Sequence, residues 1–362
     1  MSVHPPPYGP TPVDGCSAAA GVQSLATVPA AHAVELAYIF GPSLDCRSEM
    51  LAAEARRHIA GCLLSVETAL RLAVASDQPM AAAMAHLPDP LCWPALCIRP
   101  GLIGPSLLRH MQLRAAVSLI LRQPGVPISD GAPDAIASDP FHHGDDGVIE
   151  ALALLAIAEG RWAARGGEDQ PMRADLPAEY FADLLWTAVA ILAHAIAPAL
   201  PGGVATALPV LTDAGRSILA RHDESAGPLA SADRLVSRLG AGTDDAGLVA
   251  QAIGQRRLLL FAALISRRLR VGSEATVELL LTAPIASLAA LCKAVGASGV
   301  EFRHLLLTLR PARPALTDAA ILTHADGFPD GEQDDGARVI AMLSAPPKLR
   351  AKIDQIGLWA PR

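Results

Sequence analysis

Residues 248–280 read LVAQAIGQRRLLLFAALISRRLRVGSEATVELL, and the fold class turns on this stretch. It divides into three short runs built on Leu and Ala, both strong helix formers, whereas strands draw on β-branched and aromatic residues. Connectors of a few residues separate the runs, which makes sequence neighbours antiparallel αα-hairpins. The pattern continues outward. LPVLTDAGRSILARHDES and ADRLVSRLG precede it, and IASLAALCKAV and VEFRHLLLTL follow it. Ser298 and Glu301 are spaced as a capping box, and Gly296 closes the helix before them. The spacing predicts an all-α chain whose C-terminal half is a multihelical array of helix pairs, HEAT-like or α-solenoid.

Composition agrees. The 362 residues are 51% hydrophobic but only 4% aromatic, so Ala, Leu, Val and Ile carry the apolar content. Upstream, SEMLAAEARRHIAGCLLSVETALRLAVAS is a long helix opened by Ser48, and SLLRHMQLRAAVSLILRQ is another that ends before Pro124. Asp145 or Asp146 is placed to cap VIEALALLAIAEGRWAARG. Asp175 is placed to cap the next helix, with Pro177 in its first turn. Residues 1–31, rich in Pro, Gly, Ser and Ala, read as a loosely attached tail. These readings divide the chain into the tail, an N-terminal helical domain over 45–166 and a C-terminal helical-repeat domain over 175–345.

The order of segments over 45–344 resembles an all-helical bacterial family typical of alphaproteobacteria and known only as a domain of unknown function. The matching pieces are AAEARRHIAGCLLSVETALRLA, LPAEYFADLLWTAVAILAHAI, SILARHDES, the stretch quoted first, and LAALCKAVGASGVEFRHLLLTL. The resemblance implies a HEAT-like fold and transfers no catalytic residue.

Charge and motifs narrow the function. A net charge of −7 lacks the positive excess of a nucleic-acid binder. Residues 184–212 hold no Asp, Glu, Lys or Arg and are long enough to span a bilayer. However, Pro198, Pro201, Gly202, Gly203 and Pro209 interrupt them, so a buried core helix over 184–197 is expected rather than a membrane span. The N-terminus has no basic region followed by an apolar core, and the cysteines lack metal spacing. Both features place the chain in the cytoplasm with free thiols.

No GxSxG, P-loop, GxGxxG or HExxH is present, so neither an enzyme nor a cofactor is expected. Five arginines bracket LLLFAALIS: Arg256 and Arg257 before it, and Arg267, Arg268 and Arg270 after it. They form a candidate rim for a protein partner, since Arg is favoured at interfaces. His58 is a candidate phospho-acceptor or, with His194, the polar group of a ligand pocket between helices. The remaining candidates are weaker. Phe141-His142-His143-Gly144-Asp145-Asp146 offers metal ligands without distant partners. LAALCKAVGASGVEFRHLLLTL, residues 288–309, has a helix-turn-helix cadence whose second helix, from Ser298 to Arg310, would enter a DNA groove, but its leucines need burial. His222-Asp223-Glu224-Ser225 cannot align as nucleophile, base and orienter. The expected function is therefore a non-enzymatic regulatory or scaffolding protein that binds another protein, possible as a homo-oligomer, with signal relay or ligand sensing as the alternative.

Overall fold

A computed structural model describes residues 29–41, 46–123, 145–240, 243, 246–328, 341, 345, 349, 352–353 and 356. Among the described residues there are fifteen α-helices and no strand. In chain order they are α1 (Ala30–Phe40), α2 (Cys46–Ala73), α3 (Gln78–Ala85), α4 (Cys92–Ile98), α5 (Pro105–Leu121), α6 (Asp146–Ala163), α7 (Ala178–Ile196) and α8 (Val204–Ala220). There follow α9 (Pro228–Leu239), α10 (Ala246–Gly254), α11 (Leu258–Leu269), α12 (Ser273–Thr282), α13 (Ile285–Ala294), α14 (Gly299–Leu309) and α15 (Asp318–Asp326).

The caps show which local signals worked. Asp145 is the N-cap of α6, its carboxylate accepting the Gly147 N–H at 2.8 Å. Ser298 and Glu301 form the capping box of α14. Asp175 does not cap α7. It is 3% exposed and turned inward, and Glu224 accepts the Ala178 N–H instead at 3.1 Å. Two further expectations are corrected. The long helix opens at Cys46 rather than Ser48, and a separate helix from Ala30, not read from the sequence, precedes it because Leu36 and Ile39 supply buried contacts and the His32 ring bonds the Ile103 carbonyl at 2.8 Å. Pro209 lies inside α8 instead of ending the apolar stretch.

Two apolar cores organise the helices. The first gathers Leu36, Ile59, Leu63, Trp93, Leu185 and Leu211, which brings α7 and α8 against α2. The second gathers Leu152, Trp162, Leu235, Phe261, Leu291 and Phe302, which brings α6 against α9 and α9 against α11. Helix α5 serves both. Leu107, Leu108, Met111 and Ala115 belong to the first core, and Leu113, Val117 and Ile120 belong to the second. At 100° per residue these sets fall on opposite sides of the helix, which is why it is apolar nearly all round.

The packing therefore crosses the 166–175 division read from the sequence: α6 sides with the later helices, and α7 and α8 with the earlier ones. Helix α7 with its 3₁₀ extension, Ala178–Ala199, is long and apolar enough to cross a membrane by length and composition. Half of that window is buried against the first core. Helix α11 is enclosed from Leu258 through Ser266, with α9, α10 and α12 packed around it.

Candidate functional site

The densest chemistry is buried where α2, α5, the end of α6 and the 170–176 segment meet. The segment is held to α2 by Met172 N–H on the Gly61 carbonyl at 2.9 Å and the Ser65 hydroxyl on the Met172 carbonyl at 2.7 Å. This approach needs a glycine, because a Cβ on Gly61 would lie 2.5 Å from the Met172 Cγ.

Beneath the segment, Glu54 accepts hydrogen bonds from Arg57, His58 at 2.8 Å, Ser118 at 2.8 Å and Arg122 at 2.6 Å. Burial opposes its ionisation, yet the bonds from His58, Arg57 and Ser118 hold its carboxyl well below the usual carboxylate range. Arg122 also donates to the Ala163 and Ala164 carbonyls, and the Ser118 hydroxyl reaches the Trp162 carbonyl. The Ala163 carbonyl that ends α6 is thereby satisfied, and the Trp162 carbonyl shares the one Ser118 hydroxyl proton with Glu54.

Arg114 sits 4.9 Å over the Trp162 ring and meets Asp175 at 2.7 Å. That approach is off the hydrogen-bond axis, so the contact is an ion pair rather than an aligned bond. Asp175 also accepts the Trp162 indole N–H at 3.2 Å. Three arginines, Arg57, Arg114 and Arg122, thus share two carboxylates, Glu54 and Asp175, and the groups contact one another.

A second buried acid works the same way. Glu67 is 0% exposed and pairs with Arg71 at 2.6 Å. It also accepts the Leu91 and Cys92 backbone N–H groups at 3.0 and 2.8 Å. A carboxylate from α2 thus caps α4, whose own N-cap, Leu91, has no side-chain acceptor.

This architecture decides the fate of the residues singled out in the sequence. His58 is 0% exposed with both ring nitrogens engaged, which leaves no path for the phosphoryl donor that a phospho-acceptor must meet. His194 is exposed on α7 and lines none of the grooves described below.

The five arginines are divided between the two ends of α11. Arg256 and Arg270 have φ of 57° and 53°, the left-handed position that closes a helix. Bonds from Arg257 N to Ala252 O and from Val271 N to Ser266 O complete the closure. Arg257 lies near Glu159, whose carboxyl burial pushes up to about 7 against the pull of that arginine. Arg267 and Arg268 donate to backbone carbonyls, Arg267 to Val236 and Arg268 to Thr243 and Val295. They act as helix closures and carbonyl ligands rather than one continuous rim.

Phe141, His142 and His143 lie outside the described residues, and among the described residues no group of three potential ligands is placed to hold a metal. In α14, Phe302, Leu305, Leu306 and Leu309 are buried and Arg310 pairs with Asp318 at 2.6 Å, while Arg303 and His304 are exposed on the opposite face. His222 and Asp223 turn apart. The ring stacks on Phe181 at 3.8 Å, while the carboxylate accepts from Ser225. Cys62, Cys92 and Cys292 are buried free thiols, and burial raises the pKa of each, Cys292 to about 12.

Two surface features were missed in the sequence. Helix α6 leaves Ile149, Ala153, Leu154, Ala156, Ile157 and Gly160 exposed, with Ile157 at 59%. At helical spacing these fall on one side, with Glu150 the one charge among them. The alternation was legible, but Leu152, Leu155 and Ala158 compete for the same reading. The other feature is a groove of about 440 Å³ beside the 170–176 segment, lined by Arg173, Arg221, His222 and Phe181 among others. Its parts come from separate segments, so no local motif marks it.

The chain matches no known family model, no curated protein and no solved structure.

Proposed function

We propose that this is a non-enzymatic regulatory or scaffolding protein that receives an apolar helix of another protein on the outer face of α6. The observation that carries the reading is the exposed stripe from Ile149 to Gly160. Large exposed apolar patches are uncommon on monomers and mark interaction sites. A row of Ile and Leu alternating with Ala and Gly suits helix-against-helix docking, with small residues allowing close approach.

The charged groups with the most chemical potential are spent on internal pairing, which supports a binding role over a catalytic one. The partner surface moves accordingly from the arginines of α11 to α6. A cytoplasmic setting, membership of the helical family suggested by the sequence and a HEAT-like pairing remain parts of the same proposal. Successive contacts of α11 with α12 and of α14 with α15 support the pairing, whereas the enclosure of α11 does not.

A photo-crosslinking residue in place of Ala153, in the full chain within native extract, tests the docking face. A discrete adduct is expected. It should vanish with Ile157→Glu and persist with Arg267→Glu/Arg268→Glu. The same adducts from all three proteins would remove α6 as the contact surface. An adduct with a second copy of the chain would make the face a homo-oligomer interface.

A further inference from the structure

The groove beside the 170–176 segment does not depend on the α6 reading. Its floor is apolar, formed by Val66 and Ala69 of α2, Ile218 of α8 and the Phe181 ring of α7. Its rim is basic. Arg173 has its own carbonyl fixed by the Arg114 guanidinium at 3.1 Å and by the Cys62 thiol, which leaves the side chain exposed at the edge. Among the described residues its guanidinium forms no hydrogen bond and no salt bridge. Arg221 donates its Nε–H to the Ser217 carbonyl at 3.1 Å, and its terminal nitrogens carry no protein partner among the described residues.

The one acid lining the groove, Asp223, is occupied by the backbone N–H and hydroxyl of Ser225. His222 is held face to face with Phe181, 3.8 Å between centroids and 3° between planes. Its Nε2–H donates to the Leu176 carbonyl at 2.7 Å, so Nδ1 is left for a ligand. Two exposed cations thus stand at the rim of an apolar floor, in a groove of about 440 Å³, and the single Asp223 carboxylate, whose pKa the Ser225 bonds and the Arg173 charge lower, leaves them an excess of one positive charge. Small-molecule sites share that size and that combination of apolar walls with a few convergent polar groups.

We infer that this groove binds a small organic anion with a flat apolar body, its carboxylate bridging Arg173 and Arg221 and its body lying on Val66, Ala69 and Ile218. Guanidinium groups recognise carboxylates through paired, charge-assisted hydrogen bonds, and the apolar floor rewards a hydrophobic body.

The probe is 2-naphthoate, titrated calorimetrically into the full chain at low ionic strength, with uncharged 2-naphthalenemethanol as the comparison. Saturable binding at one site per chain is expected, at least tenfold tighter for the anion than for the alcohol. Arg173→Gln/Arg221→Gln, which alters only exposed side chains, should weaken naphthoate at least tenfold and leave the alcohol unchanged. Ala69→Trp, which fills the floor and keeps both arginines, should abolish binding of both, with circular dichroism reporting that the variant is folded. Absence of saturable naphthoate binding at millimolar concentration would overturn the inference. So would equal affinity for the alcohol, or an affinity that the arginine pair does not alter.

Discussion

The Nδ1 atom of His58 accepts a hydrogen bond from the Arg114 guanidinium at 2.7 Å, and that contact fixes the charge state of the ring. Arginine cannot give up its proton, so Nδ1 must carry none, and the single ring proton sits on Nε2, facing Glu54. Burial lowers the His58 pKa to about 4, the bond to Glu54 works against that shift, and the nearby Arg114 charge adds to it.

The pH dependence of stability follows. The folded-state pKa lies below the unfolded one, so the stability linked to His58 is complete above pH 6.5 and drains away as pH falls toward 4. Between pH 7 and pH 5 the wild type should lose about 2 kcal/mol relative to His58→Gln in denaturant melts, since Glu159, held up to about 7 by burial, contributes an opposite slope to both proteins. Glu54 adds a second loss below its ordinary pKa near 4.5, because its carboxyl is held down in the folded protein. In His58→Gln the upper loss should disappear and the lower one remain. An equally steep decline in the variant would assign the dependence to other groups.

Glu67→Gln leaves Arg71 without its carboxylate and weakens the cap on α4. Removing one partner of a buried ion pair costs about 3–5 kcal/mol. Urea melts should show a loss of that order. Hydrogen exchange should speed up at the Leu91 and Cys92 amides more than elsewhere in α2 or α4.

Two glycines in helices should respond to alanine with opposite signs. Ala is favoured over Gly in a helix interior by about 1 kcal/mol, and Gly160, with nothing within 4 Å of an added Cβ, should gain up to that amount. At Gly61 the added carbon would meet Met172 at 2.5 Å and the Gln170 carbonyl at 2.8 Å. Overpacking costs about 1–3 kcal/mol, so Gly61→Ala should be destabilising despite its better propensity. Thermal melts of the two variants decide the matter, and a gain at both positions would contradict the close approach of the 170–176 segment.

Arg270→Gly should raise stability. The side chain is exposed, and its backbone sits at φ 53°, a conformation that costs a non-glycine residue about 1 kcal/mol. Chemical denaturation should show a gain of up to about 1 kcal/mol. A loss would mean that the guanidinium makes a contribution larger than the backbone strain.

Helical class and most helix positions were legible because period and propensity act locally: α11, α12 and α14 follow directly from Leu and Ala spacing and from the Ser298–Glu301 box. Tertiary competition was not legible. Asp175 precedes Pro177 as a capping residue should, yet the buried Arg114 charge claims it, and Glu224 takes over the cap from a distant segment. His58 stands out in the sequence as a candidate phospho-acceptor, because only Glu54 lies one turn before it on α2, whereas Arg114 and Ser118, which make complete burial tolerable, come from α5. The groove arginines, Arg173 and Arg221, are far apart in sequence, and only the docking of the 170–176 segment on α2 brings them to one rim.

The alternation of helices between the two cores also dictates the order in which a nascent chain can fold. The first core lacks α7 and α8 until about residue 220 has left the ribosome. Helix α6, made long before, can pack on α5 at once but must wait for α9 to cover the rest of its apolar inner side. Cutting at any point between 121 and 228 strands one layer from its partners. The molecule should accordingly resist division into working halves, and limited proteolysis should yield either the intact chain or small peptides rather than two stable fragments.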